Sequence, residues 1–130
     1  MIEQKLESFL KKACDELYKV PITNKQVQVQ KTRAEIEGDF TIVVFPLLAI
    51  SRKSPEITAQ ELGDWFVAHV AEVESFSVIK GFLNLTISIG FWIDFLNSDK
   101  NSVTYGLAEL KKTKPVVVEY SAPNTNKPLH

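Results

Sequence analysis

The stretch that decides the fold is Val73-Glu-Ser-Phe-Ser-Val-Ile-Lys-Gly-Phe-Leu-Asn-Leu-Thr-Ile-Ser88. Two short runs, 73–79 and 82–88, are rich in β-branched and aromatic residues and flank the dipeptide Lys80-Gly81. A two-residue link of this kind suits a tight turn between antiparallel strands. The stretch therefore predicts a β-hairpin.

The second of these strands has two distinct faces, because side chains alternate along a strand with a period of two. One face is apolar and can pack on helices, whereas the other is polar with an aromatic ring at one end. The members are Leu83, Leu85 and Ile87 on the first face and Phe82, Asn84, Thr86 and Ser88 on the second. The alternating segment 26–30 predicts another strand, whose Gln26, Gln28 and Gln30 would extend the polar face.

Three segments have the periodicity of amphipathic helices. Pro21 ends the first, and Ser54-Pro55 begins the second with an N-cap serine and a proline at the first helical position. The apolar positions are Ile2, Leu6, Phe9, Leu10, Ala13 and Leu17, then Leu62, Phe66 and Val70, then Phe91, Trp92, Phe95 and Leu96. The pattern predicts an α+β fold. We expect a two-layer sandwich with helices packed on one face of a small, mainly antiparallel sheet and the other face open.

The apolar segment 42–50 admits two interpretations. Because it follows Gly38 and a potential N-cap, we expect a buried helix. Pro46 then requires a kink or a helix that begins near Phe45, since an internal proline costs about 3 kcal/mol. The β-branched run 42–44 keeps a strand as the alternative.

Composition and charge limit the possible functions. The 130 residues, 45% of them hydrophobic, fit one globular domain. Residues 1–110 hold 11 basic and 15 acidic groups, a net charge of −4, whereas residues 111–130 hold four basic groups and one acidic group, a net charge of +3. Nucleic-acid binding by phosphate neutralisation alone is therefore disfavoured, and any RNA contact must be local.

The chain shows no sign of a disulfide, a metal cluster or a membrane span. Its single cysteine, Cys14, excludes an intramolecular disulfide and suits a reducing cytoplasm. Cys14 neighbours the first apolar stripe and is expected in the core. We expect His69 to be a surface or hydrogen-bonded side chain, not a ligand. No apolar run approaches the roughly 20 residues of a transmembrane helix.

The C-terminal run Glu119-Tyr-Ser-Ala-Pro-Asn-Thr-Asn-Lys-Pro-Leu-His130 resembles the start of the catalytic domain of arginyl-tRNA synthetases. In that family a strand ends in Glu-(Tyr/Phe)-Ser-(Ser/Ala)-Pro-Asn. The loop then leads through Lys-Pro-(Leu/Phe)-His into the class I signature His-x-Gly-His. Weaker similarities lie at Gly38-Asp39-Phe40, Ser54-Pro55-Glu56-Ile57 and Gly81-Phe82-Leu83-Asn84. We therefore expect the N-terminal piece of a larger enzyme, cut where the catalytic domain begins.

The resemblance implies roles for five residues of that run. Glu119 resembles the carboxylate that faces the bound arginine, because carboxylate and guanidinium form a bidentate ion pair. Ser121 and Asn124 resemble the groups that hold the amino and carbonyl ends of the amino acid. His130 and Lys127 belong to the ATP signature, which is incomplete. The implied reaction joins L-arginine to tRNA(Arg) with Mg-dependent use of ATP, and the fragment itself is expected to be inactive and to hold no cofactor.

The resemblance also implies a contact with tRNA. Gly81-Phe82-Leu83-Asn84 looks like the segment with which the N-terminal domain of these enzymes reads the D-loop at the tRNA elbow. Phe82 would stack on a D-loop base, and Asn84 would form a hydrogen bond with the base edge. From the residues alone, an aromatic side chain beside a hairpin turn more often packs on a neighbour.

The expected organisation has three parts. Residues 1–110 form the tRNA-recognition domain, 111–115 a solvated linker after a short helix at 105–110, and 116–130 the start of the catalytic domain. The strand in this last part lacks its ladder partners, so we expect it to be disordered. We expect a cytoplasmic monomer whose partners are tRNA(Arg) and, in the full-length enzyme, L-arginine and ATP. The alternative is a small α+β module for protein–protein contact without a catalytic parent.

Overall fold

The computed structural model describes residues 2–99 and 117–118. Its helices and strands are α1 (Ile2–Tyr18), β1 (Val29–Lys31), β2 (Phe40–Val43), a 3-10 helix (Phe45–Leu47), α2 (Leu48–Ser51), α3 (Pro55–His69), β3 (Val73–Ile79), β4 (Phe82–Ile87) and α4 (Ile89–Asp99). Three expectations fall outside the described residues, apart from positions 117–118. They are the helix at 105–110, the linker at 111–115 and the disordered strand in 116–130.

The sheet has the strand order β1-β2-β4-β3, and each neighbouring pair is antiparallel. The predicted hairpin is confirmed: Ile79 pairs with Phe82 across the two-residue link. Lys80 and Gly81 both have positive φ, 51° and 77°, as a type I′ turn requires. This turn sets the register of β3 against β4 and therefore decides which side chains share a face.

The core lies between the sheet and the helices α1 and α3, which confirms the predicted two-layer α+β arrangement. The apolar face of β4 is buried at Leu83, Leu85 and Ile87, as the alternation predicted. On the same side, α3 approaches β3 closely at Gly63, where an added Cβ would lie 2.3 Å from the ring of Phe76. A glycine is needed here because the aromatic ring occupies the space of a side chain.

The segment 42–50 is divided between two kinds of structure. A helix over its whole length, the first of the two interpretations, is wrong, because Ile42 lies in β2 and pairs with both Val29 and Leu83. The helical part begins at Phe45, and Pro46 occupies the first turn of the 3-10 helix. A proline is tolerated there because the first backbone N–H groups of a helix have no partner within the helix.

The first strand is shorter than predicted. It begins at Val29, because Gln26 belongs to a turn whose backbone N–H donates to the carbonyl of Thr23 at 3.0 Å. The side-chain oxygen of Gln26 accepts a second bond from the Thr23 N–H, also at 3.0 Å. Of the three glutamines, Gln30 joins the polar face of the sheet, whereas Gln26 lies outside it.

Cys14 lies in the core and His69 is an exposed, hydrogen-bonded side chain, as predicted. Cys14 is buried in the core, and burial raises the pKa of its thiol to about 12. The His69 ring stacks on Trp65 at 4.6 Å, and its Nδ1 lies 2.9 Å from the Trp65 carbonyl oxygen. Within the described residues, no helix is both long and apolar enough to cross a bilayer, and no three His, Cys, Asp or Glu side chains could together bind a metal ion.

Candidate functional site

The face of the sheet opposite α1 and α3 carries the candidate site. Register places Gln30, Thr41 and Asn84 side by side across β1, β2 and β4. Phe82 lies two residues from Asn84 and therefore on the same face, next to Ile79 of β3. The helices α1 and α3 cover the opposite face, whereas on this face the 3-10 helix contributes Phe45, which contacts Phe82.

A loop formed by residues 32–39 covers part of this face, so the face is less open than expected. Asp39 fastens the loop to β4: its backbone N–H donates to the Leu85 carbonyl at 2.8 Å, and its carboxylate accepts from the Ile87 N–H at 2.7 Å. The Thr32 N–H donates to the Asp39 carbonyl at 3.0 Å and closes the loop. These bonds fasten the end of the loop to the C-terminal half of β4.

Between this loop and the sheet lies a cavity of about 290 Å³. That volume is near the lower end of the range for small-ligand pockets. Its lining residues come from the sheet, the loop and the hairpin turn: Gln30, Arg33, Ile36, Thr41, Ile79, Lys80, Phe82 and Asn84. The structure thus brings together Phe82 and Asn84, the two residues that the sequence singled out for tRNA contact.

Asn84 is buried, only 1% exposed, although the strand pattern predicted a surface position. Its side-chain oxygen accepts a hydrogen bond from the Thr41 hydroxyl at 2.7 Å, and the Thr41 oxygen lies 2.9 Å from that of Thr32. The amide nitrogen of Asn84 has no partner among the described residues. An unpaired buried donor costs about 1–3 kcal/mol, so this nitrogen marks a place where a ligand acceptor would be stabilised.

Phe82 is half-buried and packs on a neighbour, as an aromatic side chain beside a turn commonly does. Its ring lies 5.4 Å from that of Phe45, at an interplanar angle of 71°. The turn behind it is tight, since a Cβ at Gly81 would lie 2.5 Å from the Pro55 side chain. Phe82 therefore combines a fixed edge-to-face contact with a position in the cavity lining, and an aromatic ring held in this way is preorganised for stacking.

Two cations line the same cavity, and the sequence argument did not identify them. Arg33 enters from the loop and Lys80 from the hairpin turn. No carboxylate lines the cavity, and neither cation forms an ion pair within the described part of the chain. Lys80 could have been noticed beside Phe82 in the turn, whereas Arg33 is about fifty positions away and reaches the site only through the loop.

The other predicted site residues are Glu119, Ser121, Asn124, Lys127 and His130, and they lie outside the described residues. Their roles towards arginine and ATP stay predictions.

The fold and the site define a small α+β domain with a polar, cation-bearing cavity on the face of its sheet opposite α1 and α3. A family model described as "Arginyl tRNA synthetase N terminal domain" matches residues 2–87. Because the match covers most of the chain, the chain belongs to this family.

Relatives of known name support the assignment. The chain is 48% identical over 131 residues to an arginine–tRNA ligase of Parabacteroides distasonis, which covers 100% of the chain and 22% of the relative. It is 50% identical over 130 residues to that of Bacteroides thetaiotaomicron, with 99% and 22% covered. The solved arginyl-tRNA synthetase of Thermus thermophilus matches with a TM-score of 0.61 and 26% identity, over 73% of this chain and 15% of that one. The chain thus spans about a fifth of the length of its curated relatives.

Proposed function

We propose that this chain is the tRNA-binding N-terminal domain of an arginine–tRNA ligase and that its cavity takes an unpaired base of the tRNA D-loop. The observation that carries the proposal is the buried amide nitrogen of Asn84, which lacks a partner within residues 2–99, in a cavity that Phe82 also lines. Unpaired RNA bases are recognised by stacking on aromatic rings and by hydrogen bonds to their edges. Both kinds of group are present within one cavity.

The lining residues divide this task. The Phe82 ring would stack on the base, an interaction worth about 1–3 kcal/mol. Asn84 would donate to an acceptor on the base edge. Arg33 and Lys80 would lie near the phosphates that flank the base, where a positive charge is favourable. This local arrangement reconciles RNA binding with the net negative charge of residues 1–110.

The remaining roles belong to the complete enzyme. We propose that it joins L-arginine to tRNA(Arg) in the cytoplasm and uses ATP with Mg²⁺, producing AMP and diphosphate. Glu119, Ser121 and Asn124 would contact arginine, and Lys127 and His130 would contact ATP in the catalytic domain. We expect a monomer. A protein–protein interaction module without a catalytic parent is disfavoured, because the chain belongs to the synthetase family.

The test is a titration of the 130-residue chain with an arginine tRNA transcript and with variants altered at single unpaired D-loop bases. We expect one D-loop substitution to weaken binding. Phe82→Leu, which keeps apolar bulk but loses the ring, should weaken binding by about tenfold, in line with the loss of one base stack. Phe82→Tyr is the matched control, because it keeps the ring and should keep the affinity.

Two results would remove the D-loop role. One is equal affinity for the parent transcript and all D-loop variants, and the other is an unchanged affinity of Phe82→Leu. Either result would leave the family assignment in place, because that assignment rests on residues 2–87 as a whole.

A further inference from the structure

We propose that α4 is a docking helix whose exposed apolar face packs on the catalytic domain of the complete enzyme. The face consists of Ile89, Ile93 and Leu96, which lie on one side of the helix because they are spaced by four and three residues. The inference rests on one part of the proposed function, that the chain is the N-terminal domain of a larger arginine–tRNA ligase. It does not depend on the D-loop role of the cavity.

The apolar part of α4 is wider than the part that packs on the core. Phe91 and Trp92 are partly buried against the core. Ile89, Ile93 and Leu96 continue the apolar surface and are 74%, 53% and 66% exposed. At 3.6 residues per turn, the apolar side chains of α4 span roughly 200° of its circumference, about twice the stripe that one buried face needs. Large apolar side chains exposed together in this way are typical of an interaction site.

The composition of α4 does not suit a contact with the phosphate backbone of RNA. Between Ile89 and Asp99 the sequence contains no lysine or arginine, and the exposed Asp94 adds a negative charge. Affinity for RNA comes largely from cations placed against phosphates, and the cations Arg33 and Lys80 lie at the cavity instead. The face of α4 therefore fits an apolar protein surface.

The position of α4 along the chain favours the catalytic domain as the occupant. The family model of the N-terminal domain ends at residue 87, just before α4, whereas the relative from Parabacteroides distasonis matches the whole chain. α4 is therefore shared with this relative but lies outside the matched domain. The chain covers 22% of the relative, so most of such an enzyme follows α4. A partner on the same polypeptide has a high effective concentration, and a modest apolar contact is enough to hold it.

Docking of α4 would fix the position of the cavity relative to the catalytic domain. Only Ser88 separates β4 from α4, since β4 ends at Ile87 and α4 begins at Ile89. The Ser88 N–H donates to the Glu72 carbonyl at 2.8 Å, and the Ser88 hydroxyl oxygen accepts from the Phe91 N–H at 3.4 Å. Because β4 also lines the cavity, a partner that holds α4 holds the cavity as well.

The first experiment measures hydrogen–deuterium exchange of α4 in the 130-residue chain and in the complete enzyme, at equal low concentration and without tRNA. Burial of the apolar face should slow the exchange of α4 amides in the complete enzyme by about tenfold or more. The amides of α1, which lies elsewhere in the domain, serve as the internal reference and should differ much less. Equal exchange of α4 in the two proteins would overturn the inference.

The second experiment uses Ile93→Gln and Leu96→Gln, which place a polar side chain in the face and keep a good helix former. In the complete enzyme each should remove most of the protection of α4 and weaken the affinity for arginine tRNA by about tenfold, because the cavity is no longer held in place. In the 130-residue chain each should change tRNA affinity by less than about twofold, as expected for exposed positions. Asn97→Gln, on the polar side of α4, is the matched control and should change neither property.

Other occupants of the face give different results, and each of these results would overturn the inference. Protection of α4 that rises with protein concentration would indicate a second copy of the chain, and protection that appears only with tRNA would indicate RNA. Unchanged protection in both glutamine variants of the complete enzyme would also overturn it. The D-loop role is tested separately by the titration of the 130-residue chain, so its failure would leave the docking of α4 standing.

Discussion

The backbone of Gly38 lies directly on the side chain of Asn84: a Cβ at Gly38 would be 3.3 Å from the Asn84 Cβ and 3.2 Å from the Leu85 carbonyl oxygen. Gly38 also has a φ of +123°, a conformation that other residues adopt only with strain. The Gly38 backbone thus forms part of the cover over Asn84, which is 1% exposed. The conformation of the loop at Gly38 therefore affects the burial of the Asn84 side chain.

Gly38→Ala is predicted to destabilise the domain by about 1–3 kcal/mol, because it adds backbone strain and a tight contact above Asn84. Chemical denaturation followed by tryptophan fluorescence measures the change. Gly90→Ala is the matched control: a Cβ there has no neighbour within 4 Å, and Gly90 lies in α4. Alanine in a helix should stabilise slightly, by up to about 1 kcal/mol. Equal effects of the two substitutions would contradict the role given to Gly38.

Gly63→Ala is predicted to destabilise the domain by about 1–3 kcal/mol, because its methyl group would overlap the Phe76 ring and force α3 and β3 apart. The double variant Gly63→Ala/Phe76→Leu should be more stable than the two single losses imply, since the smaller side chain makes room. A double-mutant cycle in urea measures this coupling, expected at about 0.5–3 kcal/mol. Strict additivity would show that the ring is not the obstacle.

The Cys14 thiol is predicted to make stability depend on alkaline pH. Burial raises its pKa in the folded state to about 12, whereas an unfolded thiol titrates near 8.5. The folded state therefore retains the proton longer, and stability falls as pH rises above about 8.5, with a limiting slope of about 1.4 kcal/mol per pH unit. The comparison is with Cys14→Ala, in urea melts at pH 7.5 to 10. As the pH rises to 10, the free energy of unfolding of the wild type should fall relative to that of Cys14→Ala.

Reaction of the same thiol with a disulfide reagent gives an independent check. At pH 8 we expect slow modification of the native chain and rapid modification in denaturant, because only the thiolate reacts. Rapid native modification would contradict the burial of Cys14.

The contact between Lys5 and Glu72 is predicted to give a small, pH-dependent stabilisation. The hydrogen bond from Lys5 lowers the pKa of the Glu72 carboxyl below its usual value. A lowered acid pKa contributes stability above the unfolded value, near 4.3, and this stability is lost as pH falls through the folded value. Because both side chains are partly exposed and screened by water, the loss in Glu72→Gln at pH 7 should stay below about 1 kcal/mol.

Thermal melts of the wild type and Glu72→Gln between pH 2 and pH 7 measure this contribution. The melting temperatures of the two proteins should differ at pH 7 and become equal near pH 2. Glu72→Gln is preferable to a Lys5 variant, because Lys5 also lies 5.9 Å above the Phe9 ring. A difference that persists unchanged at pH 2 would show that the ion pair is not its source.

Local patterns predicted the hairpin well because its information is local. The Lys80-Gly81 turn and the alternation along β4 depend on residues within a few positions of each other. The structure of segment 42–50 was harder to predict, because a continuous apolar run is compatible with a buried strand and with a buried helix. Only the pairing of Ile42 with Val29 on one side and Leu83 on the other decides for a strand.

By itself the sequence determined that Phe82 and Asn84 share one face of a strand, because strand periodicity requires it. It also determined the family resemblance on which the expected tRNA contact rests. The tertiary structure alone decided that Asn84 is buried, that Thr41 and Gly38 contact it, and that Arg33 lines the same cavity. These residues lie about 40 to 50 positions away along the chain, and the pairing of β2 with β4 and the hydrogen bonds of Asp39 to β4 bring them to this place. Contacts over such a separation leave no periodic pattern in a single sequence, so the cavity could not be predicted from it.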